Sequence, residues 1–367
     1  MSNFFAEQND LTAAKVKIYK EYITGYLPKI LQTFKQCLIA DLFCGAGKNG
    51  TQDGSPLVLI KQAEYILSNP TLNKLTLDIE ILFNDKDKKN IDDLKLQINN
   101  TYHPSIKIHP IKNTDFQNIL TEILQIFKTN KIPKFFFLDP FKYSDVTIDN
   151  LKDLMALPFA EVFLFTPIFH SYRFSNEGDY PKDHKTRKFV EEFTTRGMAN
   201  YDGIDDFMQS IKEKIKIELN LEYVRPILLD DGKCKNAIFL LTKNRAGMLL
   251  MNKIALKQSV DGKGVNIKDQ QSGQGDMFGT QGTSRFEIFA NNLEQILKRN
   301  KRMTNEEIVD FTIKEEFLPR NAKEILNDLC TNNKLTVYNG ADNITSKKRQ
   351  WNISEKISKT IDFTYDN

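Results

Sequence analysis

The stretch from Cys37 to Gly47, reading CLIADLFCGAG, limits the fold more than any other part of this chain. Leu38, Ile39 and Ala40 are a short, wholly apolar run, the composition of a strand buried on both faces of a parallel sheet. Asp41 closes that strand. Gly45 and Gly47 let the backbone turn sharply where a side chain would obstruct an approaching ligand. A strand, a glycine-rich loop and a helix in succession form the usual cradle for a nucleotide-like cofactor. The loop has neither the G-x-x-x-x-G-K-S/T spacing of a phosphate grip nor a complete G-x-G-x-x-G.

The flanking sequence alternates between strand and helix patterns. Residues 11 to 34 carry Val16, Tyr19, Ile23, Tyr26, Leu27, Ile30 and Leu31 at helical spacing. Strands are expected at Cys37 to Leu42, Ile79 to Phe83, Ser105 to Ile111, Lys134 to Leu138 and Glu161 to Thr166. Helices are expected at about 57–66, 89–99, 116–129 and 148–155, the first capped by Ser55 with Pro56 in its opening turn. This alternation predicts a doubly wound, mostly parallel α/β sheet. After a helix near 205–219, Tyr223 to Leu229 and Ala237 to Thr242 read as an antiparallel pair at the end of that sheet. Residues 171–199 are polar, charged and too long for a connector, which predicts an insertion near the active face.

Residues 259–283 are rich in Gly, Gln and Ser and read as a linker between a domain at 1–258 and a second at 284–367. The second begins with helices near 285–298, from Thr304 with Glu307 three residues on, and near 319–332. Strands at Leu335 to Tyr338 and Gln350 to Ile353 complete the outline of a winged helix.

Composition excludes several classes. A chain of 367 residues buries enough core to need neither disulfides nor a structural metal. Its four cysteines form no C-x-x-C pair, and its four histidines lack ligand spacing, so no metal is expected. No leader sequence or membrane-spanning run is read from it, which makes a cytoplasmic setting the expectation. A net charge of +3 permits a nucleic-acid partner without arguing for one. The argument for one is local: Lys298, Arg299, Lys301 and Arg302, then Arg320 and Lys323, then Lys347, Lys348 and Arg349. The last five would suit phosphate contacts from a recognition helix and a wing. Such runs equally serve as solvated faces or protein-contact surfaces.

Three further turns follow strands and carry chemistry. Asp85, in Asn84-Asp85-Lys86-Asp87, is placed to accept from vicinal ribose hydroxyls, although its distance from Gly47 is about twice the usual ~20 residues. Asp87 could instead make this a helix start. Asp115 and Phe116 follow strand three, where a polar group beside an apolar one suits adenine, or where Asp115 simply caps a helix. Asp139, Pro140 and Phe141 stand at the carboxyl end of a central strand, the usual location of reacting groups.

The D-L-F-C-G-A-G loop resembles motif I of class I S-adenosylmethionine (SAM) methyltransferases. That resemblance implies that Asp41, Phe43, Gly45, Gly47 and Asp85 surround the cofactor, with Asp115 and Phe116 at its adenine. L-D-P-F is similar to motif IV of amino-methyltransferases, D/N/S-P-P-Y/F/W, with the second proline missing. It implies that Asp139, Pro140 and Phe141 hold an exocyclic amine and stack on a flipped base. The order of K-x-x-I-Y-x-x-Y-I from Lys15, the glycine loop, Gly54-Ser55-Pro56-Leu57, F-N-D-K-D, L-D-P-F and Ala237 to Thr242 resembles the three-Cys-motif partner proteins (TcmP), over residues 11 to 255. The TcmP resemblance implies SAM as cofactor and names no acceptor; a nucleic-acid base amine as acceptor is what the L-D-P-F motif implies. The alternative is a non-catalytic scaffold for a radical-SAM-like protein.

Overall fold

The computed structural model describes residues 2–70, 72, 76–100, 106–142, 145–175, 181, 184–259, 262–267 and 284–366. The chain divides into two compact units, residues 1–250 with 263–273, and residues 251–262 with 274–367.

In the first unit, α1 (Ser2–Phe34) leads into β1 (Gln36–Asp41), a small hairpin of β2 (Lys48–Asn49) and β3 (Gln52–Asp53), and α2 (Ser55–Leu67). Strand and helix then alternate through β4 (Asp78–Phe83), α3 (Lys88–Asn99), β5 (Lys107–Ile108), α4 (Phe116–Phe127), β6 (Lys134–Leu138), α5 (Ile148–Ala156) and β7 (Ala160–Pro167). Three helices follow: α6 (Phe169–Ser175), α7 (Lys185–Phe193) and α8 (Ile204–Leu219). The unit ends with β8 (Tyr223–Asp230), β9 (Lys235–Thr242), the start of α9 (Arg245–Gln258) and β10 (Gly264–Asn266).

The sheet order is β10-β8-β9-β7-β6-β1-β4-β5, so the first strand of the sequence is central. β1 runs parallel to both neighbours, with Ile39 opposite Ile81 and Ala40 opposite Phe136. Of the described strands only β9 runs against the rest, inserted between β7 and β8. The result is a mostly parallel α/β sheet flanked by helices. The reversed strand is not at the edge, as the expected terminal pair would have it, because β8 lies outside it and β10 outside that. β10 also occupies part of the stretch expected as linker; residues 268–283 of that stretch lie outside the described residues. β5 is shorter than expected. Pro110 has no amide for the ladder, and only an isolated Asn84–Lys112 bridge resumes the pairing.

Strand alternation separates the three consecutive phenylalanines. Phe136 joins the core beneath α4, α5, α7 and α8, with Leu38, Ile119, Leu151, Phe189, Phe207 and Ile211. Phe135 and Phe137 meet α1, where Tyr19 packs on Phe137 at 4.6 Å and Tyr22 and Tyr26 on Phe135 at 5.5 and 5.4 Å. The helical face of α1 is therefore wider than the seven expected positions, since Ile18 and Tyr22 are also buried. Of the expected insertion, residues 176–180, 182 and 183 lie outside the described residues; the described part is structural as well. Phe189, Val190, Phe193 and Tyr201 sit in the same core, and Glu192 of α7 accepts from the amide of Ile148 at 2.7 Å, at the first turn of α5.

In the second unit, α10 (Arg285–Asn300), β11 (Arg302–Thr304), α11 (Asn305–Lys314) and α12 (Pro319–Thr331) precede β12 (Leu335–Asn339), β13 (Asp342–Asn343) and β14 (Asp362–Tyr365). The strands form an antiparallel sheet ordered β11-β14-β12-β13. Ser284 with Glu287, and Thr304 with Glu307, form reciprocal caps on α10 and α11. The expected strand at Gln350 to Ile353 does not form. Lys348–Gln350 is a 3-10 turn, and β14 takes the place beside β12. The reason is Trp351, fully buried against Phe363, with its indole N–H on the Ile344 carbonyl at 3.3 Å.

Asn305 holds this segment in place. Its buried amide donates to the carbonyls of Asn352 and Lys359 and accepts from the amide of Ile361. Asn305→Ala strands those groups and should cost about 2–4 kcal/mol. Trp351 is the single tryptophan of the chain, so urea unfolding followed by its fluorescence should show the loss as an earlier transition.

Candidate active site

The carboxyl ends of β1, β4 and β6 bring Asp41, Asp85 and Asp139 to one end of the sheet. In the glycine loop, Gly45 and Gly47 have φ of 63° and 84°, the left-handed region that favours glycine. A Cβ at Gly45 would meet nothing within 4 Å, whereas one at Gly47 would stand 2.8 Å from Leu94 Cδ1. The positive φ favours glycine at both positions; at Gly47 a side chain would also press on Leu94 of α3, while Gly45 faces open space. The carbonyl of Gly47 accepts from the amide of Gly54 at 2.7 Å, closing the β2–β3 hairpin under the loop.

The loops after β1 and β4 are tied together through side chains. The carboxylate of Asp85 accepts from the amide of Gly45 at 2.9 Å on one oxygen and from the amide of Asp87 at 2.8 Å on the other. Asn84, fully buried, donates to the carbonyls of Leu42 and Thr114 and accepts from the amide of Thr114. Asn113 donates to the carbonyls of Asp85 and Lys86. Asp87 caps α3 through the amide of Lys89, and Asp85 lines the cleft.

A cavity of about 160 Å³ opens between these loops. Asp85, Asp115, Phe43, Phe116 and Phe141 line it, together with Asn84, Lys86, Thr114, Gln117 and Asp145. Phe43 and Phe116 stack at 5.1 Å, giving the cavity an aromatic wall. Asp115 lines the cavity while its carboxylate caps α4 through the amide of Asn118 at 3.0 Å. Phe141 is 69% exposed at the mouth, so its ring is open to a planar partner. Across the same opening Lys86 approaches Asp145 at 3.7 Å.

Asp41 is fully buried and lies behind the loop rather than on the cavity wall. The hydroxyl of Ser55 donates to one of its oxygens at 2.6 Å, and the other has no hydrogen-bond partner. Ser55 therefore serves Asp41 rather than capping α2, whose N-cap is Gly54. Burial pushes the Asp41 carboxyl up to about 7, against the lowering pull of Ser55 and with a further raising contribution from Asp139. Beside it, the buried hydroxyl of Tyr19 also has no partner, and burial and Asp41 push that phenol well above its ordinary value.

Asp139 is only partly exposed, and Pro140 is buried. Lys15 of α1, itself buried, forms an ion pair with Asp139 and lies 4.5 Å from the centre of the Phe165 ring. Neither Asp139 nor Pro140 lines the cavity; only Phe141 of that motif does.

The basic residues of the second unit do not gather into one patch. Arg320 is exposed in the first turn of α12, with Lys323 half-buried one turn on. Lys348 reaches Thr331 at the other end of that helix, roughly 16 Å away at 1.5 Å per residue, with Lys347 and Arg349 exposed on either side of it. Lys298 is already paired with Glu294, as is Lys334, and Arg302 is paired with Asp362.

No family model matches the chain, and no curated protein does. Among solved structures, the bifunctional kinase-methyltransferase WbdD aligns with 12% identity and a TM-score of 0.34, covering 62% of this chain and 39% of that one. A Listeria monocytogenes protein assigned as a class I SAM-dependent methyltransferase aligns with 14% identity and a TM-score of 0.30, covering 61% and 58%. The CurJ carbon methyltransferase aligns with 10% identity and a TM-score of 0.31, covering 59% and 52%. The chain thus spans about two-fifths of the WbdD chain it matches. Among the described residues no helix is long and apolar enough to cross a membrane, and no group of three metal-ligating side chains converges.

The raised carboxyl of Asp41 has a consequence for stability. Its contribution is fully present below the unfolded value near 3.8 and is lost as pH rises towards about 7. Asparagine in its place can still accept from Ser55 but carries no charge to bury. Asp41→Asn should therefore gain about 2–3 kcal/mol relative to the parent between pH 5 and pH 8, read by urea unfolding monitored by circular dichroism.

Proposed function

We propose that this chain is a SAM-dependent methyltransferase whose acceptor is a base amine of a nucleic acid. The observation carrying the reading is the Asp85 carboxylate. Both of its oxygens are oriented by backbone amides, and it faces a cavity with a stacked aromatic wall. A carboxylate held in that way is suited to a vicinal diol, and Phe43, Phe116 and Asp115 are suited to a planar heterocycle bearing an amine.

The residues present fit SAM. The open face of Gly45 leaves room for its amino-acid end, while Asp41, buried behind the loop, is bonded to Ser55. Bound SAM would supply an electrophilic methyl group on a sulfonium, already a good leaving group. What remains for the protein is positioning. Asp139 would orient the acceptor amine with the help of the Pro140 backbone, and the exposed ring of Phe141 would stack on the base.

The TcmP resemblance belongs to this reading, as does delivery of a polymer by the second unit. That unit's order of helix, strand, two helices and antiparallel strands is the one a winged helix has. Arg320 and Lys323 on its third helix, and Lys347, Lys348 and Arg349 in the segment before β14, would contact phosphates. They would do so as two separate contact points.

One observation favours a second reading, a non-catalytic scaffold for a radical-SAM-like partner. The Lys15 ion pair occupies the carboxylate that an acceptor amine would need. Calorimetry and labelled methyl transfer into total DNA and RNA separate the two. The methyltransferase reading expects SAM binding weakened about 10–100-fold by Asp85→Ala. It also expects Asp139→Ala to bind SAM within threefold of the parent while losing transfer. Binding without transfer by the parent protein would favour the scaffold, and no binding of SAM or S-adenosylhomocysteine would end the enzyme reading.

A further inference from the structure

Gln117 lines the cleft from the first turn of α4, next to Phe116, and is exposed. Its carboxamide is nevertheless held in place. Nε2 donates to Oδ1 of Asn150 at 3.0 Å, and Oε1 accepts from Nδ2 of Asn150 at 3.1 Å. Asn150, in the first turn of α5, is 8% exposed and does not line the cleft. The two amides thus close a ring of two hydrogen bonds, one member buried and the other on the cleft wall.

A glutamine amide that is free to turn over can present either its oxygen or its nitrogen to the same place. Gln117 is denied that freedom. The backbone amide of Thr147 donates to Asn150 Oδ1 at 3.1 Å. That N–H can only donate, so it dictates which end of the Asn150 amide is oxygen. The hydroxyl of Thr147 in turn accepts from the backbone amide of Asn150 at 3.2 Å, completing the reciprocal cap of α5. An Asn150 amide fixed in this way admits Gln117 in one orientation, because the reverse would face donor with donor and acceptor with acceptor. The second N–H of Gln117 has no partner among the described residues.

Asp115 lines the same cleft with a carboxylate that only accepts. A donor of fixed direction and an acceptor, together with the Phe43 and Phe116 rings, match a planar base that carries both a ring nitrogen and an exocyclic amine. We propose that Gln117, oriented by Asn150, donates its second N–H to a ring nitrogen of adenine, N1 or N7, and so makes the cleft selective for that base. Asn150 is then a positioning residue that does not touch the ligand. This inference rests on the reading of the cleft as the SAM site. A base presenting C–H or N–H at that place would meet a donor that cannot turn over to accept, and the mismatch would leave the Gln117 N–H without a partner.

The test uses the full chain and calorimetry with S-adenosylhomocysteine and its 1-deaza and 7-deaza analogues, in which C–H replaces one ring nitrogen. The parent protein should bind one of the two analogues about three- to tenfold more weakly than S-adenosylhomocysteine, the worth of one hydrogen bond. Gln117→Leu, a change at an exposed position, should lose that factor for S-adenosylhomocysteine and bind the same analogue equally well. Asn150→Ala should behave as Gln117→Leu does, although its side chain lies off the cleft wall. The inference is overturned if the parent binds both analogues as tightly as S-adenosylhomocysteine, or if Gln117→Leu keeps the parent's affinity or its discrimination. Undiminished discrimination by Asn150→Ala would overturn the role given to Asn150. A parent protein that does not bind S-adenosylhomocysteine at all would overturn the SAM reading and this inference with it, an outcome distinct from the others.

Discussion

The amide of Gly45 donating to the carboxylate of Asp85 fixes the separation of two loops that leave different strands. The loop after β4, Asn84-Asp85-Lys86-Asp87, is too polar to be located by packing alone. The second oxygen of Asp85 is fixed by the amide of Asp87, so the carboxylate is restrained on both sides. Asn84 adds a third tie, from the loop after β1 to the segment before α4. The cleft is thus defined by buried hydrogen bonds, whose loss is costly because each would strand a desolvated donor or acceptor. The aromatic pair Phe43 and Phe116 then has a fixed frame in which to stack.

α1 lies on a sheet face that is not purely apolar. Asp41, Asp139 and Glu161 come from three strands. α1 answers them with Tyr19 near Asp41, Lys15 on Asp139 and Tyr22 on Glu161. Burying such groups is unfavourable unless each finds a partner, and removing one partner leaves an isolated buried charge. The leading helix is therefore part of the site's electrostatics as well as a cover for the sheet.

Much of this was legible in the sequence because it rests on local rules. Apolar runs bounded by glycine, proline and aspartate located β1, β4, β6 and β7, and helical caps at Asp87, Asp115 and Thr304 follow from side chains that reach only their own turn. What escaped was set by distant partners. Lys15 reads as a solvated lysine until α1 lies across β6, and Glu192 has no visible role until α7 meets α5. Asn84 sits beside a residue that was read for its chemistry, yet its amide does more to join the loops. Gly264–Asn266 reads as linker because a three-residue edge strand leaves no periodicity. In the second unit the burial of Trp351 overrides the strand pattern around it, which local propensity cannot anticipate.

The two ends of the sheet share one mechanical element. Lys15, Tyr19, Tyr22 and Tyr26 recur every three or four residues along α1, so they form a single stripe down the helix. The first two engage the carboxyl ends of β1 and β6, and the last two pack on Phe135 near the amino end of β6. Side-chain spacing on a helix and on a strand differs, 1.5 Å against about 3.3 Å per residue, so the stripe matches the sheet in only one registration. A slip of α1 by one turn would move Lys15 off Asp139 and Tyr22 off Glu161 together. The carboxylates at the two ends of the sheet are thus satisfied by the same placement of α1, and neither pairing can be lost by sliding the helix without losing the other.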